Sequence, residues 1–277
     1  MNVMESMNAV GESAAKTTDA DGVELRFSKR MKPFAAVGAM ANVLRNKEET
    51  SEVLRFIESL DGPAHERNFL KFKATETGAR ILRDRINIID TLDDYDRLET
   101  LAPDSLGRTY LAFVKREGVS AGMLQAEMEN SGEDLSHLDE DRVRYLYRVR
   151  QIHDIIHILG GYRRDLIGEL AVMTFTGAQY GGKSFPILVG LLSARAKIDF
   201  HGLPVWGCMN EATRVAKAAK SVFNADWEAY MAKPMDEVRA DMNFAVPTLY
   251  HSIADRSEAR DLETREALLA ARKKKPH

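Results

Sequence analysis

Four side chains of metal-binding type, two imidazoles and two carboxylates, lie close together in the middle of the sequence: His153, Asp154, His157 and Glu169. Residues four apart on a helix stand one above the other, so His153 and His157 can share one metal ion. The glycines at 160–161 allow the chain to reverse, and a second helix can then bring Glu169 back over the pair. A single histidine pair is often structural, but four such groups split by a turn favour a metal. Two nitrogens and two oxygens suit one divalent ion, zinc first, with iron, manganese, cobalt or magnesium as alternatives.

The stretch that carries both histidines contains two conflicting patterns. Residues 142–150 alternate with a period of two, as a half-buried strand would. A longer series of apolar residues is spaced by four, three, four and three: Tyr145, Val149, Ile152, Ile156 and Leu159. Because only a helix keeps this longer series on one face, we predict a helix from about 142 to 159 that ends at the double glycine.

The helical period dominates the rest of the chain as well. Apolar stripes, caps and breakers predict helices at 31–44, 51–60, 65–83 and 104–118, through Glu169 and Phe175, after Pro186, and at 208–231 and 235–250. No repeat, low-complexity tract or linker divides the chain. We therefore predict an all-α fold, a single multi-helix domain over residues 26–255 with the metal site between two helices. A disordered leader (1–25) and a charged C-terminal tail (256–277) flank this domain.

Composition excludes several classes of protein. The net charge of −3 provides no basic field to recruit nucleic acid, so we expect no nucleic-acid partner. One cysteine, Cys208, excludes an intramolecular disulfide and a cysteine-built zinc site. No apolar run approaches the ~18–20 residues that cross a bilayer. Residues 1–25 are too acidic for a transit peptide and lack the apolar core of a secretory signal. A cytoplasmic location, with peripheral contact at the inner face of the membrane, is the expectation.

Four other features receive ordinary structural interpretations. Residues 177–184 match the GxxxxGKS nucleotide-binding string, but the chain lacks the strand-helix alternation that this site needs, so no nucleotide site is predicted. The acidic run at 93–96 is interpreted as a polar loop. Cys208 is expected to be a small packing residue. The histidines without ligand spacing are expected in loops or at the surface: His65, His137, His201 and His251.

A family resemblance rests on the same motif. The segment 148–157, followed by eleven residues and Glu169, resembles the HDxxH-x11-E signature of the coenzyme Q biosynthesis protein 4 family. Further similarities occur at 78–82, 106–110, Phe113, Gln179, 227–228, Pro234 and 238–239. The resemblance extends over about 35–250, with 195–208 left unaligned.

The resemblance implies an all-helical protein of ubiquinone biosynthesis that binds a divalent cation through His153, Asp154, His157 and Glu169. The resemblance implies that the protein is a metal-dependent oxidative decarboxylase. Its substrate would be a prenylated hydroxybenzoate, which reacts at the ring carbon that bears the carboxylate. Its implied role also includes organising the biosynthetic complex. The expected partners are a prenylated aromatic or isoprenoid lipid, other ubiquinone-biosynthesis proteins and a second copy of the chain in a homodimer.

Two other functions remain open from the residues alone. In a zincin-like hydrolase, Asp154 would replace the glutamate general base of HExxH. In a non-catalytic lipid-binding scaffold, the metal would be structural, and its removal would unfold the protein.

Apolar residues beside the ligands predict where a prenyl chain binds. Ile152, Ile156 and Leu159 on the ligand helix, with Leu188 in the segment 185–192, are the predicted substrate-binding residues. A prenyl tail gains about 0.8 kcal/mol for each CH2 removed from water. The exposed part of 185–192 is the predicted membrane contact, together with the basic residues 273–275. The alternative is that 185–192 forms a core helix.

Overall fold

The computed structural model describes residues 64–130, 135–136 and 138–273, and every regular element in these ranges is helical. The all-α prediction is confirmed. The leader at 1–25 and the predicted helices at 31–44 and 51–60 lie outside the described residues.

The helices are labelled here in chain order. α1 covers 64–73, and α2 to α7 cover Glu76–Arg83, Ile88–Leu92, Tyr95–Thr100, Leu106–Glu117, Ala121–Asn130 and Glu140–Gly160. α8 to α14 cover Leu166–Tyr180, Ser184–Asp199, Val205–Ala218, Trp227–Tyr230, Met235–Asp241, Thr248–His251 and Ala254–Lys273. A 3-10 turn at Val222–Asn224 follows α10. Most of the segment 256–277, predicted as a tail, therefore lies in α14.

The ligand helix α7 forms as predicted. Its N-terminus is capped by the carboxylate of Asp139, which accepts a hydrogen bond from the backbone N–H of Arg142 at 2.9 Å. Its C-terminus ends at Gly161, which adopts the left-handed conformation with φ of 62° that glycine tolerates best. Ile152 and Ile156 are fully buried on its apolar face. The longer apolar series therefore prevails over the alternation at 142–150.

Three predicted helices are wrong in extent, because the chain restarts helices within them. The segment 208–231 contains α10, the 3-10 turn and α11, since Asp226 caps a new helix by accepting from the N–H of Ala229 at 3.2 Å. The segment 235–250 divides into α12 and α13, separated by Asn243 with a positive φ of 50° and by Pro247 at the start of α13. Likewise, 65–83 divides at Thr75, whose hydroxyl caps α2.

The core surrounds α8, which packs against α7, α9, α10 and α14. At one point α8 and α9 approach so closely that a Cβ on Gly177 would lie 2.4 Å from the Cβ of Phe185. Cys208 on α10 is buried among apolar side chains, as predicted.

Buried ion pairs fix the long helix α7 against the remainder of the domain. Arg148 forms two hydrogen bonds with Glu228, at 2.5 and 3.0 Å, and Arg142 pairs with Glu66 on α1. Charge-assisted, bidentate pairs of this kind have defined geometry, so they fix the position and rotation of the helix that carries the histidines.

One histidine prediction is wrong. His65 lies in α1 rather than in a loop or at the surface, where its ring packs against Tyr145 at 5.5 Å and its Nδ1 lies 2.8 Å from the hydroxyl of Tyr180. His201 and His251 are exposed, as predicted, whereas His137 lies outside the described residues.

Candidate metal centre

Three of the four predicted ligands converge on one point between α7 and α8. The Nε2 atoms of His153 and His157 are 3.1 Å apart, and the Oε2 atom of Glu169 lies 3.3 and 3.4 Å from them. His157 is fully buried, whereas the side chains of His153 and Glu169 are about one-third exposed (37% and 30%). The group is therefore buried on one side and accessible on the other.

The position of the hydrogen on Nδ1 of His157 follows from the contact that this nitrogen makes. Its Nδ1 lies 3.1 Å from the carbonyl oxygen of Tyr162, and because a carbonyl can only accept, Nδ1 carries the hydrogen. A neutral His157 then directs the lone pair of Nε2 at the other two groups. This arrangement, in which a backbone carbonyl sets the tautomer, is typical of histidines that bind metals.

The three atoms need a proton or a cation between them, because each can present a lone pair to the others. Burial alone would raise the pKa of Glu169, but the contacts with His153 and His157 hold that pKa well below its ordinary value. Burial alone would lower the pKa of His153, whereas its hydrogen bond to Glu169 and the charge of that carboxylate raise it. A proton or a metal ion meets this need, and the donor set of two imidazoles and a carboxylate fits a divalent metal such as zinc.

Asp154, the fourth predicted ligand, does not belong to this group. It is half-buried on α7, and its charge contributes to a raised pKa of Tyr110, after the larger effect of burial. Metal binding by any of the four side chains stays a prediction.

A buried cap positions Glu169 in the first turn of α8. The carboxylate of Asp165 accepts hydrogen bonds from the N–H groups of Ile167 and Gly168, at 3.1 and 3.2 Å. It also accepts from the hydroxyl of Tyr250 at 2.5 Å and from that of Ser257. These bonds connect the start of α8 to α13 and α14.

The turn between the two ligand helices is held by residues from α12 and α13. The guanidinium of Arg239 donates to the carbonyl of Leu159 at 2.9 Å. The ring of His251 lies over the turn, with its Nε2 2.8 Å from the carbonyl of Gly160. Added to Gly161, a Cβ would lie 2.7 Å from that ring. The carbonyls at the end of α7, which lack partners within the helix, are thereby satisfied.

Sequence reasoning did not assign to the site two side chains that border the group, although one of them, Phe113, is among the similarities to the family. The ring of Phe113 on α5 stacks on that of His157 with 5.9 Å between centroids. The Nε atom of Arg164 lies 3.5 Å from Oε1 of Glu169, the carboxylate oxygen that does not face the histidines. Neither residue has a spacing signal, whereas Asp165 does have one, since an aspartate directly before an apolar helical segment predicts an N-cap.

The predicted substrate-binding residues are buried in the core and do not lie at the surface of the protein. Ile152, Ile156, Leu159 and Leu188 are at most 1% exposed. On α9 the exposed large apolar side chains are instead Ile187, Leu191 and Ile198, at 44%, 45% and 72%. Lipid binding stays a prediction, and any lipid-contact surface on α9 involves its other face.

The GxxxxGKS string forms a turn between two helices. Residues 177–180 end α8, Gly181 caps it, and Ser184 begins α9. A phosphate-binding loop of this type follows a buried strand, and here a helix precedes it. Of the acidic run, Asp94 caps α4 and Asp93 accepts from the N–H of Gly122 at 2.8 Å. Across the part of the chain that the structure describes, no helix is both long enough and apolar enough to span a bilayer.

The fold and the site together define an all-helical protein with a histidine and glutamate cluster of the kind that binds metals. Residues 23–248 match the family described as "Coenzyme Q (ubiquinone) biosynthesis protein Coq4". The chain therefore belongs to this family, whose role lies in ubiquinone biosynthesis, and the predicted resemblance is confirmed.

Relatives with curated names support the same assignment. A protein from Podospora anserina named "Ubiquinone biosynthesis protein COQ4, mitochondrial" is 29% identical over 242 residues, which are 85% of this chain and 76% of that protein. A protein of the same name from Aspergillus fumigatus is 32% identical over 62% of this chain. The matched stretch spans only 57% of the Aspergillus protein.

One solved structure shares the fold. A crystal structure from Nostoc punctiforme, whose description assigns it provisionally to ubiquinone biosynthesis, superposes with a TM-score of 0.54. It covers 77% of this chain and 98% of the Nostoc chain at 16% identity. At this identity the similarity extends to the fold alone.

Proposed function

We propose that this chain performs a metal-dependent step of ubiquinone biosynthesis, the oxidative decarboxylation of a prenylated hydroxybenzoate precursor. The ring carboxyl group is replaced by a hydroxyl group and leaves as carbon dioxide. In one balanced form, dioxygen takes up the two electrons, water supplies the new ring oxygen, and hydrogen peroxide is released. The observation that carries the proposal is the convergence of His153, His157 and Glu169 on one partly accessible point.

The chain's own side chains have separable tasks in this proposal. His153, His157 and Glu169, with Asp154 as the predicted fourth ligand, hold the ion. When bound, the ion supplies positive charge that stabilises the electrons left on the ring as carbon dioxide departs. Arg164, whose side chain is 43% exposed beside Glu169, is placed to pair with the carboxylate of the substrate. The ring of Phe113 excludes water from the buried side of His157.

A membrane-facing surface for the prenylated substrate is part of the proposal. The apolar side chains of Ile187, Leu191 and Ile198 on α9 are exposed. Two exposed basic residues, Arg195 and Lys197, stand among them in the sequence, and Arg195 follows Leu191 by one helical turn on the same face. Apolar side chains with basic neighbours favour the interface of an anionic bilayer.

Sedimentation with anionic liposomes tests this surface. The fraction of protein that sediments should decrease for Ile187→Asp, because the substitution places a negative charge on the apolar face. It should remain unchanged for Glu263→Gln, a control on the exposed surface of α14. Equal sedimentation of Ile187→Asp and wild type would exclude this surface.

Metal analysis tests the site. The purified protein should contain about one divalent ion, and His157→Ala or Glu169→Ala should lose most of it. The matched control is His201→Ala, because His201 is an exposed histidine away from the group. Full occupancy in either ligand variant would refute the ligand assignment.

Substrate labelling tests the reaction. A prenylated hydroxybenzoate labelled at the carboxyl carbon should release labelled carbon dioxide in the presence of dioxygen, with an unlabelled hydroxylated ring as product. Release should require the metal and be lost in Glu169→Ala. If no label is released by metal-loaded protein, the decarboxylase proposal fails.

One observation also favours a hydrolase as the second candidate. Two histidines and a glutamate, without Asp154 in the group, are the ligand set of a thermolysin-type zinc site, where the acid after the first histidine is the general base. Hydrolysis of ester or peptide substrates by the zinc-loaded protein, abolished in Asp154→Asn, would favour this candidate. In the scaffold alternative, removal of the metal by a chelator would abolish the helical circular dichroism signal.

A further inference from the structure

A buried phenol hydroxyl without a partner lies on the helix that borders the candidate metal centre. Tyr110 on α5 is 0% exposed, and its hydroxyl has no hydrogen-bond partner among the described residues. A buried donor of this kind costs free energy, and in native proteins it is normally paired or has a functional reason. Its surroundings therefore indicate which acceptor it serves.

The packing of α5 on α7 brings the turns that carry Tyr110 and Asp154 to the same part of the helix contact. The ring of Phe113 stacks on that of His157, and one helical turn before each of these residues stand Tyr110 and Asp154. Among charged groups, Asp154 has the largest effect on the pKa of Tyr110, and the effect of Asp93 is smaller. Asp154 itself makes no hydrogen bond or ion pair with the described residues.

Two other acceptors, on α7 and before α4, are less suitable. Asp93 already accepts from the N–H of Gly122 at 2.8 Å. Gln151 is buried with a free side-chain oxygen, but its amide group is held by a hydrogen bond to the carbonyl of Ala121 at 2.9 Å. Asp154 alone combines a charge, a free carboxylate and a position directly after the ligand His153.

We infer that Tyr110 is a positioning residue, whose hydroxyl donates a hydrogen bond to the carboxylate of Asp154 when that carboxylate turns toward the metal. The inference rests on the proposed function, because it requires a metal at His153, His157 and Glu169. A tyrosine phenol keeps its proton at neutral pH, so the hydroxyl of Tyr110 is available as a donor. Outer hydrogen bonds of this type orient ligands, and losing one lowers metal affinity about 10- to 100-fold.

The test compares two isosteric substitutions in the full-length chain. Tyr110→Phe removes only the hydroxyl and should weaken zinc binding about 10-fold or more in a competition titration with a chromophoric chelator. The metal-free variant should melt at the wild-type temperature or higher, because the hydroxyl has no partner without metal. Tyr145→Phe is the matched control, since Tyr145 is equally buried with an unpaired hydroxyl but packs on Phe69 and Phe72. It should leave zinc affinity unchanged.

A double-mutant cycle identifies the acceptor. If the hydroxyl acts through Asp154, then adding Tyr110→Phe to Asp154→Ala should cause no further loss of affinity. Independent, additive losses would overturn the inference, as would a wild-type zinc affinity in Tyr110→Phe. A lowered melting temperature of metal-free Tyr110→Phe with unchanged zinc affinity would assign the hydroxyl a role in the stability of the metal-free fold and also overturn the inference. If Tyr145→Phe weakens zinc binding as much as Tyr110→Phe does, the effect is not specific to Tyr110, and its positioning role is rejected.

The same titration separates this inference from the proposed function. If the wild-type protein binds no zinc or other divalent ion, the proposed function fails, and the role of Tyr110 fails with it. If wild type and Tyr110→Phe bind zinc equally while His157→Ala does not, only the role of Tyr110 is refuted.

Discussion

Substitution of Asp165 by alanine should destabilise the protein far more than the loss of an ordinary helix cap. Asp165 is 4% exposed and accepts four hydrogen bonds, two from backbone N–H groups and two from the hydroxyls of Tyr250 and Ser257. Loss of the cap costs about 1 kcal/mol. Each of the two buried hydroxyls then lacks its acceptor, at about 1–3 kcal/mol. Allowing for relaxation, we expect Asp165→Ala to lose about 3–5 kcal/mol.

Urea denaturation followed by far-ultraviolet circular dichroism measures this loss. A typical domain is stabilised by ~5–15 kcal/mol, so a change of about 3–5 kcal/mol is a large part of the total. The urea concentration at the midpoint of unfolding should therefore fall markedly, while the dependence of the free energy of unfolding on urea concentration stays unchanged. Zinc affinity should fall as well, because Glu169 lies one turn after the cap.

The matched control is Asp94→Ala. Asp94 caps α4 by accepting from the N–H of Arg97 at 3.1 Å, but it is exposed. Its loss should cost about 1 kcal/mol or less. Asp165→Asn should be intermediate, because asparagine retains the cap oxygen but cannot serve both hydroxyls. If Asp165→Ala loses no more stability than Asp94→Ala, the account of the buried cap is refuted.

Three further outcomes follow from single contacts. Glu228→Gln should lower the free energy of unfolding by about 3–5 kcal/mol, because it leaves the buried charge of Arg148 unpaired; a loss below about 1 kcal/mol, measured with urea, would contradict a buried pair. Burial raises the pKa of the Cys208 thiol to about 12, so the native protein at pH 8 should resist a thiol-specific chromogenic disulfide and react only after unfolding; rapid native reaction would contradict the burial. Lys183→Ala should leave metal content and substrate turnover intact, since Lys183 stands at a turn between helices; nucleotide binding by wild type that this variant loses would contradict that expectation.

The sequence predicts the helices that carry the site but not the long-range contacts that hold the turn between them. A helix that includes His153 and His157 follows from the apolar series at 145–159, and convergence with Glu169 follows from the glycine turn. The partners of Asp165 could not be predicted, because Tyr250 and Ser257 lie 85 and 92 residues away in sequence. Only the tertiary fold brings residues this far apart in sequence into contact.

The segment 185–192 shows a different limit of sequence reasoning. It is apolar over almost its whole length, so no amphipathic stripe indicates which side faces the core. The structure buries Leu188 and exposes Ile187 and Leu191. A prediction based on hydrophobicity alone finds such a helix but cannot orient it.

The position of two of the three converging side chains at helix ends has an electrostatic consequence. His157 stands in the last turn of α7, and Glu169 stands in the first turn of α8. The carboxyl end of a helix favours positive charge and the amino end favours negative charge, each by about 0.3–1 kcal/mol near the surface. The end of α7 therefore favours a cation beside the imidazoles, and the start of α8 favours an ionised Glu169. Because the turn at 161–165 joins these two ends, the contacts that hold this turn also hold the charge arrangement of the site.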